Sequence, residues 1–288
     1  MATTETTSVS DITTKAVASF DGCSDERLRT IMKSLVTHLH AFVAEVGLTE
    51  EEWMAGIQFL TDVGHMTDDK RQEFILLSDT LGVSMLVDEN SNRLPAAATQ
   101  STVLGPFYVE DSPLREYGAS TAEKPSGTPC WVYGRVLDTD GNPIAGATLD
   151  VWQNAADHLY AVQDPSIPQD NLRGRFVTRD DGTYAFLAVR PTDYTVPDDG
   201  PVGKMLGAVN RHPWRPAHLH MIVSAPGYRK LITHIFDPAS EHLDSDTVFA
   251  VKPSLIRDFV ERKPDDPERP EGVDGPWVSV ENDVVLSR

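Results

Sequence analysis

Hydrophobic positions follow a helical period in the first part of the chain. Apolar residues recur every three or four positions from Leu28 to Val46, and Gly47 comes directly after them. This spacing lines one face of an α-helix, and glycine commonly follows the last helical turn. We therefore predict a helix over this stretch, with Ser24 as its N-cap.

Two further helices are predicted before residue 100. Thr49 and Glu52 have the spacing of a capping box, which opens a helix over residues 50–60. Residues 68–89 carry enough apolar side chains to predict one mostly buried helix. Residues 1–100 are thus predicted to form a helical region.

The pattern changes from about residue 128 to short β-forming runs separated by tight turns. Strand, turn and strand are predicted in 131–154, again in 173–190 around Asp181-Gly182, and again in 215–237. Strands at this spacing favour an antiparallel β-sandwich over alternating strands and helices. The predicted fold is mainly β with an α-helical N-terminal region, the sandwich occupying residues 101–288.

The remaining segments of this second region are less regular. Residues 247–262 are predicted to be helical and residues 277–287 to form a last strand. Residues 164–174 and 191–213 are long loops rich in proline and glycine. Ordered loops of this length are uncommon unless they build a functional site.

Composition and charge exclude several classes of protein. The chain has 288 residues and a formal net charge of −19, which argues against nucleic acid or an anionic membrane as a partner. We find no signal peptide and no apolar run long enough to cross a bilayer, so membrane insertion is not expected. The two cysteines, Cys23 and Cys130, lie in unlike segments, which excludes a disulfide framework and a thiolate metal site. A cytoplasmic protein is expected.

The segment RPAHLH, residues 215–220, is a candidate metal site. On a strand opened by Pro216, alternate side chains share one face, so His218 and His220 would point the same way. Two imidazoles on one face can bind one metal ion. An isolated pair of this spacing is a weak signal, however, since one histidine could lie in the core and the other at the surface.

Several metal-binding folds use this pair of histidines. A cupin needs a glutamate shortly after the second histidine, where this chain has Ser224 and Ala225. An amidohydrolase barrel places the pair on its first strand, whereas here it comes late. A ferrous site with two histidines and one carboxylate stays open, with Asp237 or Asp244 as the carboxylate.

Three segments resemble the intradiol ring-cleaving dioxygenases. They are DVWQNAADHLY, which ends at Tyr160, RPTDYTVPDDGPVG, which contains Tyr194, and RHPWRPAHLH, which contains Arg215. The resemblance extends to the N-terminal helical region and to the segment STVLGPFY, residues 101–108. It therefore covers nearly the whole chain.

The resemblance implies a non-haem Fe(III) held by Tyr160, Tyr194, His218 and His220, with hydroxide at the open position. Phenolate is a hard anionic donor, so two tyrosinates favour the ferric state. In the family, Tyr194 leaves the metal and takes a substrate proton. Arg215, as a fixed cation, would stabilise negative charge that develops on the ring. The implied partners are an aromatic diol or triol and O₂.

The resemblance also implies residues that bind the substrate. Asp79 is expected to recognise a third hydroxyl group of the substrate, and His234 to lie behind the metal ligands. The expected contacts with the substrate are Leu76, Asp79, Val103, Leu104, Gly105, Pro106, Phe107, Val196, Pro197, Arg215 and Val248.

Within the family, the chain is most similar to the members that cleave hydroxyquinol (1,2,4-trihydroxybenzene). The segments around Tyr194, residues 210–214 and residues 233–252 carry this likeness. Members that cleave catechol typically have glycine on both sides of the second tyrosine and glutamine where this chain has His234. Catechol is the alternative substrate.

The helical region of the family forms a homodimer and can enclose a phospholipid, so residues 1–100 are expected to be a dimerisation subdomain. Two functions other than intradiol cleavage are also consistent with the sequence. One is a ferrous enzyme that cleaves beside the diol, and the other is a transthyretin-like β-sandwich that binds ligands without catalysis.

Overall fold

The structure is a computed structural model that describes residues 9–68, 71–124 and 126–288. The chain divides into two compact units, residues 1–62 and 63–288. None of the helices described is long and apolar enough to cross a membrane. The predicted domain boundary at residue 100 stays a prediction.

The described helices and strands follow one another in a helical part and a β part. The helices are α1 Val9–Ala18, α2 Glu26–Val46, α3 Glu50–Met66, α4 Glu73–Thr80, α5 Val83–Ser91 and α6 Pro201–Ala208. The strands are β1 Pro129–Asp138, β2 Thr148–Trp152, β3 Arg173–Val177, β4 Thr183–Val189, β5 Tyr194–Thr195, β6 Trp214–Arg215, β7 His218–Ser224, β8 Leu231–Phe236, β9 Val260–Arg262, β10 Trp277–Glu281 and β11 Val284–Leu286.

The predicted ends of α2 are partly confirmed. The N-cap is Asp25 and not Ser24, because the Asp25 side chain accepts a hydrogen bond of 2.9 Å from the backbone of Leu28. The helix ends at Gly47, whose φ of 62° lies in the left-handed region. The capping box before α3 is confirmed, since Thr49 and Glu52 exchange hydrogen bonds. Helix α1 was not predicted.

The apolar stripe of α2 is exposed. No residue of α2, all of which the structure describes, is buried in the single chain. One face of the helix carries the exposed apolar side chains Leu28, Ile31, Leu35, Leu39, Phe42 and Val46.

The single helix predicted over residues 68–89 is wrong. Two helices, α4 and α5, are separated at Gly82, whose φ of 73° an ordinary residue rarely adopts. A side chain there would also approach the ring of Phe249, at 3.3 Å. The prediction of burial holds for α4, whereas Met85 alone is buried in α5.

The predicted β-sandwich is confirmed. One sheet has the order β11-β1-β10-β9 with β4 also paired to β1, and the other has the order β3-β2-β7-β8. Apolar side chains from both sheets form one buried cluster, which includes Val132, Phe186, Leu149 and Met221. The strands are mostly antiparallel, but β1 pairs in parallel with β10 and with β11.

Several details of the β region differ from the prediction. Of the three predicted strand–turn–strand units, the third is a hairpin, formed by β7 and β8. In the other two, the turn carries the chain across the sandwich, so β1 and β2 belong to different sheets, as do β3 and β4. The helix predicted over 247–262 is wrong: a 3₁₀ turn, Pro253–Leu255, and β9 occupy it, and Phe249 has a φ of 59°. The predicted last strand is two strands, β10 and β11. The loop 191–213 contains β5 and α6.

Candidate metal centre

Strand β7 places two imidazoles on one face, as the sequence predicted. His218 and His220 are each 1% exposed. The residues between and after them, Leu219, Met221 and Val223, belong to the core between the sheets. Because side chains alternate across a strand, burying these three residues in the core turns both histidines to the opposite face.

Two tyrosines from separate loops reach the same place. Tyr160 follows β2 and is held at the start of a 3₁₀ turn, where its backbone N–H donates to the Gln163 side chain at 2.9 Å. Tyr194 lies on β5, directly opposite Arg215 of β6. Tyr160 is 0% and Tyr194 1% exposed, so both phenols are fully buried.

The polar ends of these four side chains converge. Tyr160 Oη lies 2.9 Å from His220 Nε2, and His218 Nε2 lies 3.1 Å from His220 Nε2. Arg215 Nη1 donates to Tyr194 Oη at 3.0 Å. The rings of Tyr160 and Tyr194 meet edge to face, 5.1 Å between centroids. The structure therefore brings together every residue that was predicted to hold the metal.

Burial sets the protonation of these groups. Desolvation, helped by the charge of Arg215, lowers the pKa of His218 well below its ordinary value, and desolvation does the same for His220. Both imidazoles are therefore neutral, the form that binds metal ions. Desolvation and the neighbouring Tyr194 raise the pKa of Tyr160, so its phenol ionises only beside a strong cation.

The second ring nitrogen of each histidine has a different environment. His218 Nδ1 lies 2.6 Å from the carbonyl oxygen of Pro216, a contact that keeps the proton on Nδ1 and frees Nε2 as a ligand. His220 stacks on Trp152, with ring centroids 4.6 Å apart, and its Nδ1 has no hydrogen-bond partner within the described residues.

His234 lies beside both histidines on the neighbouring strand. It pairs with His220 in the register of β7 and β8, and ring centroids are 4.3 Å apart. Neither ring nitrogen of His234 makes a well-formed hydrogen bond within the described residues. Burial lowers the pKa of His234 well below its ordinary value, and a weaker interaction with the backbone of Val103 opposes this effect in part. Among the described residues, His218, His220 and His234 are the one group of three with metal-binding spacing.

The carboxylates of the alternative ferrous site lie elsewhere. Asp237 forms an ion pair with Arg190, Oδ2 to Nε at 2.6 Å, and Asp244 is exposed. No carboxylate joins the histidine group within the described part of the chain. The donor set is therefore two phenols and two imidazoles, which suits a hard trivalent ion such as Fe(III).

Arg215 is the cation of this centre. Its side chain is buried and pairs with Asp246, Nε to Oδ1 at 3.1 Å. Burial by itself would lower the pKa of Arg215, but the charge and hydrogen bonds of Asp246, together with the phenols of Tyr194 and Tyr160, raise the pKa overall. Besides Tyr194 Oη, Arg215 Nη1 approaches His218 Nε2, at 3.3 Å. A permanent positive charge thus stands beside the candidate ligands.

A cleft of about 730 Å³ contains part of the predicted substrate site. Phe107 stacks on Tyr160, with centroids 4.5 Å apart, and so connects the cleft to the metal centre. The predicted substrate residues in its lining are Leu76, Pro106, Phe107, Val196 and Pro197.

The other predicted substrate residues do not line this cleft. Gly105 lies against His220: a Cβ there would be 3.1 Å from His220 Cε1, and the φ of Gly105 is 77°. Asp79 and Val248 are buried, and Leu104 is 36% exposed. Burial raises the pKa of Asp79, while Ser84 and the charge of Arg215 partly oppose the shift. The predicted contact of Asp79 with the substrate stays a prediction.

The sequence did not single out two charged residues near the centre. One is Asp246, the partner of Arg215. The other is Arg173, which is 2% exposed and donates from Nη2 to the carbonyl oxygen of Phe107 at 2.6 Å. Neither has a local sequence signature, because each acts through a residue far away along the chain.

Comparisons with known families give matches over nearly the whole chain. Residues 103–275 match the family described as "Dioxygenase", and residues 25–99 match the one described as "Catechol dioxygenase N terminus". These two matches meet near residue 100, where the sequence predicts a domain boundary.

Individual relatives are also similar over nearly their full length. Hydroxyquinol 1,2-dioxygenase of Nocardioides simplex is 49% identical over 279 residues, 96% of this chain and 94% of the relative. The crystal structure of hydroxyquinol 1,2-dioxygenase from Pseudomonas putida DLL-E4 superposes with a TM-score of 0.91 at 50% identity, covering 97% of this chain and 98% of that one. Catechol 1,2-dioxygenase of Acinetobacter radioresistens gives a TM-score of 0.85 at 28% identity, covering 98% and 93%.

Proposed function

The chain belongs to the intradiol dioxygenases, and from this premise we propose that it opens the ring of hydroxyquinol with O₂. Cleavage falls between the two adjacent hydroxyl-bearing carbons and gives 3-hydroxy-cis,cis-muconate, which tautomerises to maleylacetate. The observation that carries the proposal is the convergence of Tyr160, Tyr194, His218 and His220 beside Arg215. The relatives at 49% and 50% identity that are named for hydroxyquinol support this substrate.

We propose that Tyr160, Tyr194, His218 and His220 hold Fe(III). A ferric ion held there would supply a Lewis acid and electron acceptor for the diol, which would open the ring to direct reaction with O₂. The two histidines contribute neutral nitrogens, since burial lowers the pKa of each. Tyr160 stays in place because its backbone is tied to Gln163 and its ring is stacked on Phe107.

Tyr194 accepts a proton from the substrate, and Arg215 stabilises the negative charge. Tyr194 Oη takes one proton from the incoming diol as general base. Arg215 Nη1, 3.0 Å from that oxygen, holds Tyr194 in position and then faces the negative charge that develops on the ring. Its buried ion pair with Asp246 keeps the guanidinium from turning towards water.

The substrate ring is proposed to enter through the cleft and to lie against its apolar lining. Leu76, Phe107 and Val196 supply that surface. Val103, Leu104, Gly105 and Val248 complete the wall next to the histidines. Asp79 accepts a hydrogen bond from the third hydroxyl group, a contact that hydroxyquinol can make and catechol cannot.

The substrate proposal is tested by measuring kcat/KM on hydroxyquinol and on catechol with simultaneous O₂ uptake. We expect hydroxyquinol to be preferred by about tenfold or more, the ratio that one buried hydrogen bond to a charged group supplies. One O₂ should be consumed for each ring opened. Preference for catechol by the same factor would contradict the substrate. A yellow semialdehyde would indicate cleavage beside the diol, and no O₂ uptake by the iron-loaded protein would indicate a binding module.

We further propose that the protein is a homodimer through its helical region and that the interface can enclose a phospholipid. The exposed apolar face of α2 supports this, because a stripe of this size on a soluble protein usually meets a partner. Mass spectrometry of an organic extract of the purified protein detects the lipid. A cytoplasmic location is proposed from the two free cysteines.

A further inference from the structure

We propose that Asp246 is a positioning residue that fixes the guanidinium of Arg215 and the substrate wall at Val248 in one geometry. The inference rests on the proposed function of Arg215. It adds a residue that does not touch the substrate and acts only through two neighbours that do.

The carboxylate of Asp246 accepts four hydrogen bonds from two directions. Arg215 donates from Nε to Oδ1 at 3.1 Å and from Nη2 to Oδ2 at 3.4 Å. The backbone N–H of Val248 donates to Oδ1 at 3.2 Å, and that of Ala250 donates to Oδ2 at 3.0 Å. Each carboxylate oxygen therefore binds the arginine on one side and the loop on the other.

This two-point contact fixes the direction of Arg215. An arginine side chain has many rotamers, but a bidentate carboxylate selects one plane for the guanidinium. With the edge formed by Nε and Nη2 occupied, Nη1 is turned to Tyr194 Oη and His218 Nε2. Both side chains of the ion pair are only 2% exposed, so water does not compete for either.

The same carboxylate also shapes the loop after it. Phe249 adopts a φ of 59°, and its N–H donates to the carbonyl oxygen of Asp246 at 3.0 Å. The turn buries Val248, at 2% exposure, while Phe249 stays exposed. An ordinary residue in the left-handed region is unfavourable by about 1–3 kcal/mol, so this turn needs the contacts that Asp246 supplies.

A second ion pair has nearly the same construction and serves as the control. Asp237 binds Arg190 with both carboxylate oxygens, Oδ2 to Nε at 2.6 Å and Oδ1 to Nη2 at 3.2 Å. Its Oδ1 also accepts the backbone N–H of Ala239 at 2.9 Å. Neither Asp237 nor Arg190 contacts the four candidate ligands by any hydrogen bond within the described residues. Arg190 is 28% and Asp237 3% exposed, so loss of this pair tests what a partly buried ion pair contributes to folding alone.

The experiment compares Asp246→Asn with Asp237→Asn in the iron-loaded enzyme. Asparagine keeps the shape but turns an NH₂ group towards one arginine nitrogen and one backbone N–H. We expect Asp246→Asn to lower kcat by about tenfold to a hundredfold with the KM changed less than kcat, since charge stabilisation acts during ring opening.

The charge-transfer band of the resting enzyme should move to longer wavelength, because a displaced Arg215 stabilises the Tyr194 phenolate less. Asp237→Asn should lower the Tm but leave kcat and the band unchanged.

A double-mutant cycle with Arg215→Ala separates this inference from the proposed function. Since kcat is expected to report the route through Arg215, Asp246→Asn should lower kcat by less than about twofold in the Arg215→Ala background, while the effect on KM through the wall at Val248 remains. If Asp246→Asn lowers kcat by the same factor in both backgrounds, the inference is overturned. It is also overturned if Asp246→Asn alone keeps the wild-type kcat and charge-transfer band. An Arg215→Ala variant with wild-type kcat would instead overturn the role proposed for Arg215.

If Asp246→Asn does not fold, Asp246→Glu replaces it. Glutamate keeps the negative charge but moves the carboxylate outward by one methylene group. We expect the same shift of the band and a smaller loss of kcat. A folded Asp246→Glu with wild-type kcat and band would contradict the positioning role.

Discussion

Helix α2 and strand β7 deviate from the usual rule of burial in opposite ways. Along α2, apolar side chains such as Leu35 and Leu39 are about half exposed, and no residue of the helix, which is described throughout, is buried. Along β7, His218 and His220 are buried as deeply as the aliphatic residues beside them. Each deviation is costly for an isolated chain: one leaves apolar surface in water, and the other removes polar groups from it.

The two deviations indicate different missing partners. Buried neutral imidazoles next to buried phenols become favourable when a cation joins them. An exposed apolar helix face becomes favourable when another apolar surface covers it. The first region therefore points to chemistry and the second to assembly. This separation can be tested by substitutions that affect one region and leave the other unchanged.

The largest effect is expected from removing a proposed ligand. Tyr160→Phe should lower the affinity for iron by more than about 100-fold, since loss of even an outer partner of a metal ligand costs roughly 10–100-fold. Turnover should fall with the iron content, which is measured by metal analysis of the dialysed protein.

Tyr184→Phe is the matched control for Tyr160→Phe. Tyr184 is also a fully buried tyrosine, but its hydroxyl donates to the carbonyl oxygen of Asn282 at 2.6 Å. This variant should lose about 1 kcal/mol of stability and no iron. Equal iron loss in both variants would show that packing, and not ligation, makes Tyr160 important.

A smaller effect on activity is expected from substituting Asp79, which also belongs to the proposed active site. Asp79→Asn should reduce the preference for hydroxyquinol over catechol by about tenfold, because the charged acceptor for the third hydroxyl group is lost. The control is Asp88→Asn on α5, whose carboxylate binds Lys252 and Ser101. An unchanged ratio of kcat/KM in Asp79→Asn would remove Asp79 from the substrate site.

The smallest effect on turnover is expected from α2. Leu39→Glu places a charge on the exposed apolar face and should convert the dimer to a monomer in sedimentation experiments, with kcat per chain within about twofold of wild type. Thr37→Glu, on the opposite side of the same helix, should leave the dimer intact. If both variants stay dimeric, the face of α2 is not the interface.

Features that depend on residues close together in the chain were mostly predicted correctly, whereas most features that depend on distant residues were not. The periodicity of α2 and the alternation in β7 are local, and both were predicted almost to the residue. The helix expected over 247–262 failed because Phe249 adopts a left-handed conformation in a turn that the neighbouring side chain of Asp246 holds. That side chain is in turn held by a distant residue. Asp246 and Arg215 are 31 residues apart, and no local pattern joins them.

The candidate metal site shows the same division between local and long-range signals. The spacing of His218 and His220 suggested a metal by itself, whereas Tyr160 and Tyr194 were found only through the resemblance to a family. The loops that carry them bring the two phenols together through the pairing of β5 with β6 and the turn after β2. Such pairings arise from the whole fold, so spacing alone could not have identified the two tyrosines as candidate ligands.

The most direct test is the visible absorption spectrum of the iron-loaded protein, recorded without oxygen before and after hydroxyquinol is added. Ligation by Tyr160 and Tyr194 predicts a broad tyrosinate-to-Fe(III) charge-transfer band that shifts when the diol binds the iron and Tyr194 is released. A protein that stays colourless after reconstitution with ferric iron would contradict the central claim, because neither phenol would then be a ligand.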